Sequence, residues 1–249
     1  MKVSIITATY NSAATLATCM TSVVNQTYNN IEYIIIDGGS TDGTIPMVTK
    51  LGEDHPNISF RSEPDKGIYD ALNKGIAQAT GDIIGFVHSD DFLADPTIIA
   101  DIVATFEREQ VDGVYGNLHY VALEATDKVI RNWVSENYHP RLLKKGWMPA
   151  HPTLYLKRKL YQDYGSFNLS YKIAADYDFI LRIFADTNLR FYYLAKTIVK
   201  MRIGGASNRS LKNIVLKTKE DYRAVRHNRT GNWLTIVLKN ASKLKQFVN

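Results

Sequence analysis

The sequence predicts an α/β fold: a doubly wound, mostly parallel sheet with helices on both faces, followed by a C-terminal helical extension. Three observations carry that expectation. Short β-rich runs alternate with helix-periodic segments through the first half of the chain. Those runs are apolar almost throughout, as strands covered on both faces are. The chain has 249 residues, 45% of them hydrophobic and 22% charged, enough for one large core. Repeated βα units joined by right-handed crossovers give this architecture.

The elements follow in order. VSIITAT (3–9) is a strand, and a helical pattern runs from Ser12 to about Gln26. IEYIIID (31–37) is the second strand, with a turn GGSTDGT and a helix to about Leu51. ISFRS (58–62) is a weaker strand before a helix from about Ile68 to Ala79. DIIGFVH (82–88) is the fourth, and VDGVYGN (111–117) the fifth, after a helix over 97–108. Beyond about residue 118 the rhythm changes: YVALE and KVIRNWV alternate like an antiparallel hairpin, and FYYLAKTIVKMR (191–202) reads as extended. From Ser210 the pattern is helical and basic, with no internal repeat or low-complexity linker anywhere. The chain divides into 1–207, with halves 1–117 and 118–207, and an extension over 208–249.

The single cysteine, Cys19, excludes an internal disulfide and a cysteine metal cluster, and fits a reducing compartment. No apolar run approaches the ~20 residues needed to cross a bilayer, and the opening MKVSIITATY does not resemble a signal peptide. The expected location is the cytoplasm. Net charge is +5, but residues 196–249 hold 13 Lys and Arg against Glu220 and Asp221, so the rest is acidic. A basic tail on an acidic body points to an anionic partner, nucleic acid or membrane.

In doubly wound sheets ligands bind outside the carboxyl ends of the strands. Here each such end is polar: Thr7–Asn11, Asp37–Asp42, Glu63–Lys66 and Ser89–Asp91. The strand 82–88 delivers Asp90 and Asp91 side by side into a loop, a pairing that repels unless a cation or hydrogen bonds offset it. Mg²⁺ or Mn²⁺ suits such oxygen ligands; a solvated turn is the plain alternative. Asp37, before a Gly-rich turn, fits a base or ribose contact or merely the turn itself. Lys66 and Gly67 precede a helix whose N-terminus favours phosphate. Asp176 lies near the start of an amphipathic helix, where an N-cap is the plain reading. His151 and Trp147 lie in a Pro-flanked loop, WMPAHPT, and RIGGAS (202–207) is a Gly-containing turn or phosphate loop. No Walker or Rossmann glycine fingerprint occurs, which argues against ATP-dependent kinases and NAD enzymes.

Taken in order, SIITATYNS, IIIDGGSTDGT, DKGIYDALNKGI with ATGD, HSDD and AADYDFILR resemble glycosyltransferase family 2, from Lys2 to about Ser207. The resemblance implies the GT-A fold and inverting transfer from a nucleotide-sugar, UDP being favoured, to a hydroxyl of a glycan or lipid-linked acceptor. The kinship is with bacterial surface-polysaccharide and colanic-acid-type enzymes. It implies that 1–117 binds the nucleotide-sugar and 118–207 faces the acceptor. Thr7 and Tyr10 would line the base pocket, Asp37 would contact the base, Lys66 would approach the nucleotide and Asp90 would reach the ribose. Asp91 would ligate Mn²⁺ or Mg²⁺, Asp176 would be the base, and His151 and Trp147 would border the acceptor. Two positions depart from the family pattern: Ser89 precedes the acidic pair, and Ala175 stands where Glu is common. A catalytically silent sugar-nucleotide-binding or scaffold protein is the alternative. A nucleic-acid binder is disfavoured by the acidic body and the lack of a recognisable motif, and a nucleotidyltransferase by the missing glycine-rich N-terminal phosphate loop.

Over 233–248, Trp233, Leu234, Val237, Ala241, Leu244 and Val248 share one helical face, with Lys239 and Lys243 opposite. Such a helix either lies on an anionic leaflet as a peripheral contact or docks its apolar stripe on the core.

Overall fold

A computed structural model describes residues 1–203 and 211–245. The first half follows the expected alternation. Strand β1 (Val3–Thr9) leads to α1 (Leu16–Val24), β2 (Ile31–Asp37) to α2 (Thr44–Asp54), β3 (Ile58–Ser62) to α3 (Ile68–Gln78) and β4 (Ile83–Phe86) to a short β5 (Asp91–Leu93). Helix α4 (Ile98–Glu109), β6 (Gly113–Val121), β7 (Val129–Trp133), α5 (Arg141–Lys144) and a 3₁₀ turn (His151–Thr153) follow. The chain continues through β8 (Tyr155–Lys157), α6 (Arg158–Tyr164), α7 (Ala175–Phe184), β9 (Phe191–Arg202), α8 (Leu211–His227) and α9 (Trp233–Lys245).

The strands order as β3-β2-β1-β4-β8-β6-β9-β5, with β7 paired to β6. From β3 to β4 every pairing is parallel, as the apolar runs require. Beyond β4 the sheet is mixed: β8 is antiparallel to β4 and β6, β6 is parallel to β9, and β5 and β7 are antiparallel edges. The expected hairpin of 118–133 is therefore present, and "mostly parallel" holds for the first half only. Both faces are covered. Helices α1, α2 and α4 pack Leu16, Met20, Val48, Ile98 and Ile102 against one face, with Ile5, Tyr33 and Ile35. On the other, α3, α6 and α7 pack Leu72, Tyr161, Phe179 and Ile183 against Ile6, Ile34 and Phe86. Gly85 in β4 makes room for the buried Tyr155, whose ring carbon would lie 2.1 Å from any added Cβ.

The extension is built into this second layer: Ala224 and Val225 of α8 and Ile236 of α9 belong to the same core. On α9 the buried residues are Thr235, Ile236 and Lys239, whereas Trp233, Leu234, Val237 and Ala241 face solvent. The apolar stripe thus points away from the core, and the docking alternative is overturned for these residues. The Leu244 and Lys243 side chains, Val248, and the Gly pair of RIGGAS lie outside the described residues.

Strand order reverses between β1, which neighbours β2, and β4, on its other side. The crevice outside their carboxyl ends is where ligands of such sheets bind. The segment between β4 and β5 leaves the sheet there and reaches the far edge at β9.

Candidate active site

The loops above that crevice are tied together before any ligand arrives. Asn11 follows β1 at φ +48, in the left-handed region that Asn tolerates better than most residues. Its backbone N–H donates to Ser40 Oγ at 2.8 Å, and its side-chain oxygen accepts from the Thr41 N–H at 2.9 Å. The Ser12 and Ser89 hydroxyls meet at 3.0 Å, and the Thr15 hydroxyl donates to the Ser89 carbonyl at 2.9 Å. The loops after β1, β2 and β4 therefore form one network.

On the nucleotide side Tyr10 stands 63% exposed. A Cβ added at Gly38 would lie 2.5 Å from Asp65 Oδ2 and 3.4 Å from the Tyr10 ring, so these three residues bound one notch. Exposed Lys66 follows Asp65, and Gly67, at φ +113, starts α3. Two expected contacts fail here. Thr7 is fully buried beneath the rim, its hydroxyl donating to the Val87 carbonyl at 2.6 Å and lying 3.1 Å from the Tyr33 hydroxyl. Asp37 is also fully buried: its carboxylate accepts from the Gly39 and Ser40 N–H groups and from the Ser40 and Ser62 hydroxyls. It builds the β2–α2 turn and is sealed from the crevice where a base would lie. Asp65 is the half-buried carboxylate beside Tyr10. Sequence reasoning marked the polar run 63–66 but had no signal to single Asp65 out of it.

The acidic pair divides in the same way. Asp91 begins β5 and is fully buried, with neither carboxylate oxygen hydrogen-bonded to a partner. Burial pushes its pKa well above the carboxylate range, and the neighbouring Asp90 adds to this while Arg202 opposes it. A carboxylate sealed in the interior does not reach a cation at the rim, so the assignment of the metal to Asp91 is corrected: Asp90, half-exposed in the loop, is the carboxylate at the rim. Arg202 holds that loop, its guanidinium donating to the Asp90 carbonyl at 2.8 Å.

Beside Asp90 lies His88, whose Nδ1 is buried with no hydrogen-bond partner. Its pKa is lowered by burial, against the pull of Asp90 and Asp176, and so the ring senses both carboxylates. His151 sits 5.9 Å from His88 between ring centroids, stacks at 5.3 Å on Phe86 and is pushed down to about 4, chiefly by burial. Asp176 acts on His151 as well. The 3₁₀ turn that carries His151 packs against both β4, which leads to His88 and Asp90, and α7, which carries Asp176. Trp147, by contrast, makes its ring contacts with Tyr115, Tyr138 and Phe184, in the aromatic core behind the site.

Asp176 is the second residue of α7 and half-exposed. Tyr69, from the first turn of α3, donates its hydroxyl to Asp176 Oδ1 at 3.0 Å and to the Ile173 carbonyl at 2.7 Å. The backbone N–H groups of Lys172, Ile173 and Ala174, which lead into α7, donate to the Glu220 carboxylate at 2.9, 2.8 and 3.0 Å. The acid absent at Ala175 is answered from α8. Asn73 of α3 exchanges two hydrogen bonds with the Phe167 backbone at 2.8 and 2.9 Å.

Among the described residues no three His, Cys, Asp or Glu side chains gather as a self-sufficient metal site. A hard cation bound mainly through substrate phosphates needs only one or two protein carboxylates. Asp90, half-exposed at the rim, fits that requirement.

The comparisons with known proteins agree in kind. The sequence model of the family described as Glycosyl transferase family 2 matches residues 4–167. A PGL/p-HBAD biosynthesis glycosyltransferase of Mycobacterium bovis is 33% identical over 241 residues, covering 94% of this chain and 88% of the relative. An uncharacterized glycosyltransferase of Mycobacterium tuberculosis is 35% identical over 182 residues, 72% of this chain and 68% of its own. Among solved structures, S. aureus TarS (residues 1–349) superposes with TM-score 0.72 at 19% identity, covering 97% of this chain and 72% of that one. The mannosyltransferase PcManGT of Pyrobaculum calidifontis, in complex with GDP-Man and Mn²⁺, gives TM-score 0.64 at 19% identity over 98% and 74%.

Proposed function

The chain belongs to glycosyltransferase family 2, and on that premise we propose that it is an inverting, divalent-cation-dependent enzyme moving a sugar from a UDP-sugar to a hydroxyl of a glycan or lipid-linked acceptor. The observation that carries this reading is the packing of the His151 turn against both β4, whose loop carries Asp90 in the donor half, and α7, which carries Asp176 in the acceptor half.

Tyr10 and Asp65 bound the base site, and Lys66 at the start of α3 meets the diphosphate. Asp90 would hold Mn²⁺ or Mg²⁺ at the rim. When bound, the cation offsets the charge gathering on the leaving diphosphate. Asp176 accepts the acceptor's proton from the opposite face as the hydroxyl attacks the anomeric carbon. Its Oδ1 is engaged by Tyr69, so Oδ2 is the oxygen that takes the proton. Attack with one such base inverts the centre without a covalent intermediate. Residues 1–117 serve the donor, 118–207 the acceptor, and Glu220 of α8 in the extension braces α7. The buried, unpaired Cys19 fits work in the cytoplasm, at the inner face of a membrane when the acceptor is lipid-linked.

Thermal-shift screening of nucleotide sugars with Mn²⁺ present is the test. A UDP-sugar should raise the melting temperature in a concentration-dependent way and release UDP on incubation. Stabilisation without release, with every acceptor class tried, would favour the non-catalytic sugar-nucleotide-binding protein.

A further inference from the structure

Helix α9 carries its apolar residues on the wrong side for a docked helix. Trp233 is 66% exposed, Leu234 48%, Val237 51% and Leu238 39%, a run along one face that a monomer in water gains nothing by presenting. The opposite face is the anchored one. Lys239, almost fully buried, pairs with Asp221 at 2.9 Å and places its ammonium 3.1 Å above the Tyr177 ring. The Thr235 hydroxyl donates to the Lys144 carbonyl at 2.9 Å. A Cβ at Gly146 would lie 2.5 Å from Lys239 Cβ, so the helix is seated directly on residues 144–146. The outward stripe is therefore held rigidly, not left over from a loosely packed end.

Its surroundings are cationic. Arg141, Lys144 and Lys145 are exposed on the segment beneath α9, and Arg223, Arg226 and Arg229 are exposed on and after α8. Residues 196–249 hold 13 Lys and Arg against two acids, and those two, Glu220 and Asp221, are buried. Asp221 offsets Lys217 and Lys239, while among the described residues the exposed Arg141, Lys144, Lys145, Arg226 and Arg229 form no salt bridge. An apolar stripe with an aromatic anchor, rimmed by Lys and Arg, has the make-up of a helix lying in the boundary of an anionic bilayer. A second copy would bring the same charge against itself.

We propose that α9 and the α5 segment form a docking surface for an anionic lipid bilayer, with Trp233, Leu234, Val237 and Leu238 entering the headgroup–acyl boundary. The surface leads to the active site: the segment under α9 runs on through Trp147 to His151, which neighbours His88 and senses Asp176. Membrane docking would thus present the acceptor pocket to a lipid-borne hydroxyl. This rests on the transferase reading for its purpose, but not for the binding itself.

The test is co-flotation of the full chain with vesicles of phosphatidylglycerol and phosphatidylcholine in equal parts, against vesicles of phosphatidylcholine alone. The wild type should float with the anionic vesicles and be released by high salt. Trp233→Glu with Val237→Glu should lose roughly tenfold or more of that binding. Because both residues are exposed, the variant should melt as the wild type does and hydrolyse a nucleotide-sugar donor in solution at the wild-type rate. No flotation of the wild type, undiminished flotation of the variant, or a wild-type dimer that the variant dissociates would each overturn the proposal. Flotation without donor turnover would leave the surface standing and remove the transferase reading instead.

Discussion

The division of labour between Asp90 and Asp91 is the sharpest statement at the scale of single residues. Adjacent in a strand-to-loop passage, they face opposite ways: Asp91 enters β5 and the interior, Asp90 stays in the loop. Asp90→Asn should weaken Mn²⁺-dependent donor binding by at least about 10–100-fold, since outer-shell changes alone have that effect. Asp91→Asn, a near-isosteric change at a side chain buried away from the rim, should leave the metal dependence unchanged; titration of donor affinity against Mn²⁺ separates the two. His151 makes a pH prediction. Its folded pKa of about 4 lies below the ordinary 6.5, so the unfolded chain binds the extra proton in between. Stability should therefore fall as pH drops from 6.5 to 4, by up to about 3 kcal/mol from this group. Denaturant unfolding at stepped pH would show it, and His151→Gln should flatten that slope. The pair Asp90/Asp91 was visible in the sequence as a pair, but which member faces outward depends on where a three-residue strand begins. Thr7 and Asp37 were misplaced for a related reason. A polar residue at a strand's end reads the same whether its hydroxyl or carboxylate meets a ligand or, as here, meets the Val87 carbonyl and a turn's own N–H groups.

Among elements, α7 depends on partners distant in sequence. Tyr69 of α3 fixes one oxygen of Asp176, and Glu220 of α8 gathers three N–H groups just ahead of the helix. A hydrogen bond to a charged group is worth about 1.5–3 kcal/mol. Tyr69→Phe should therefore lower kcat by about 10–100-fold with donor affinity intact, as measured by steady-state turnover and donor titration. Glu220→Ala leaves buried donors unpaired and should lower the melting temperature by several degrees, at about 2–4 °C per kcal/mol for a chain of this size. The helix and its acidic first turn were legible from the spacing of Phe179, Ile180, Ile183 and Phe184. Its braces were not, because Tyr69 and Glu220 lie 107 and 44 positions away, and no local period announces a contact across such a separation.

For the whole molecule, the sheet joins two pieces with different logic. The parallel run β3-β2-β1-β4 was readable because strands covered on both faces are apolar throughout. The mixed remainder, with β5 far from β4 in the sheet, was not, since edge and short strands carry little pattern of their own. The extension looked separable by charge, yet Ala224, Val225 and Ile236 close the core and Glu220 braces α7. A chain ending at residue 207 should fail to give a soluble, cooperatively melting protein. The central claim is that a cation-bound diphosphate on the Asp90 side faces a base at Asp176 across one pocket. Its most direct test is donor affinity measured together with kcat in Asp176→Asn. A UDP-sugar should bind that variant as tightly as the wild type while kcat falls by ~10²–10⁴-fold. Turnover at the wild-type rate would contradict the account.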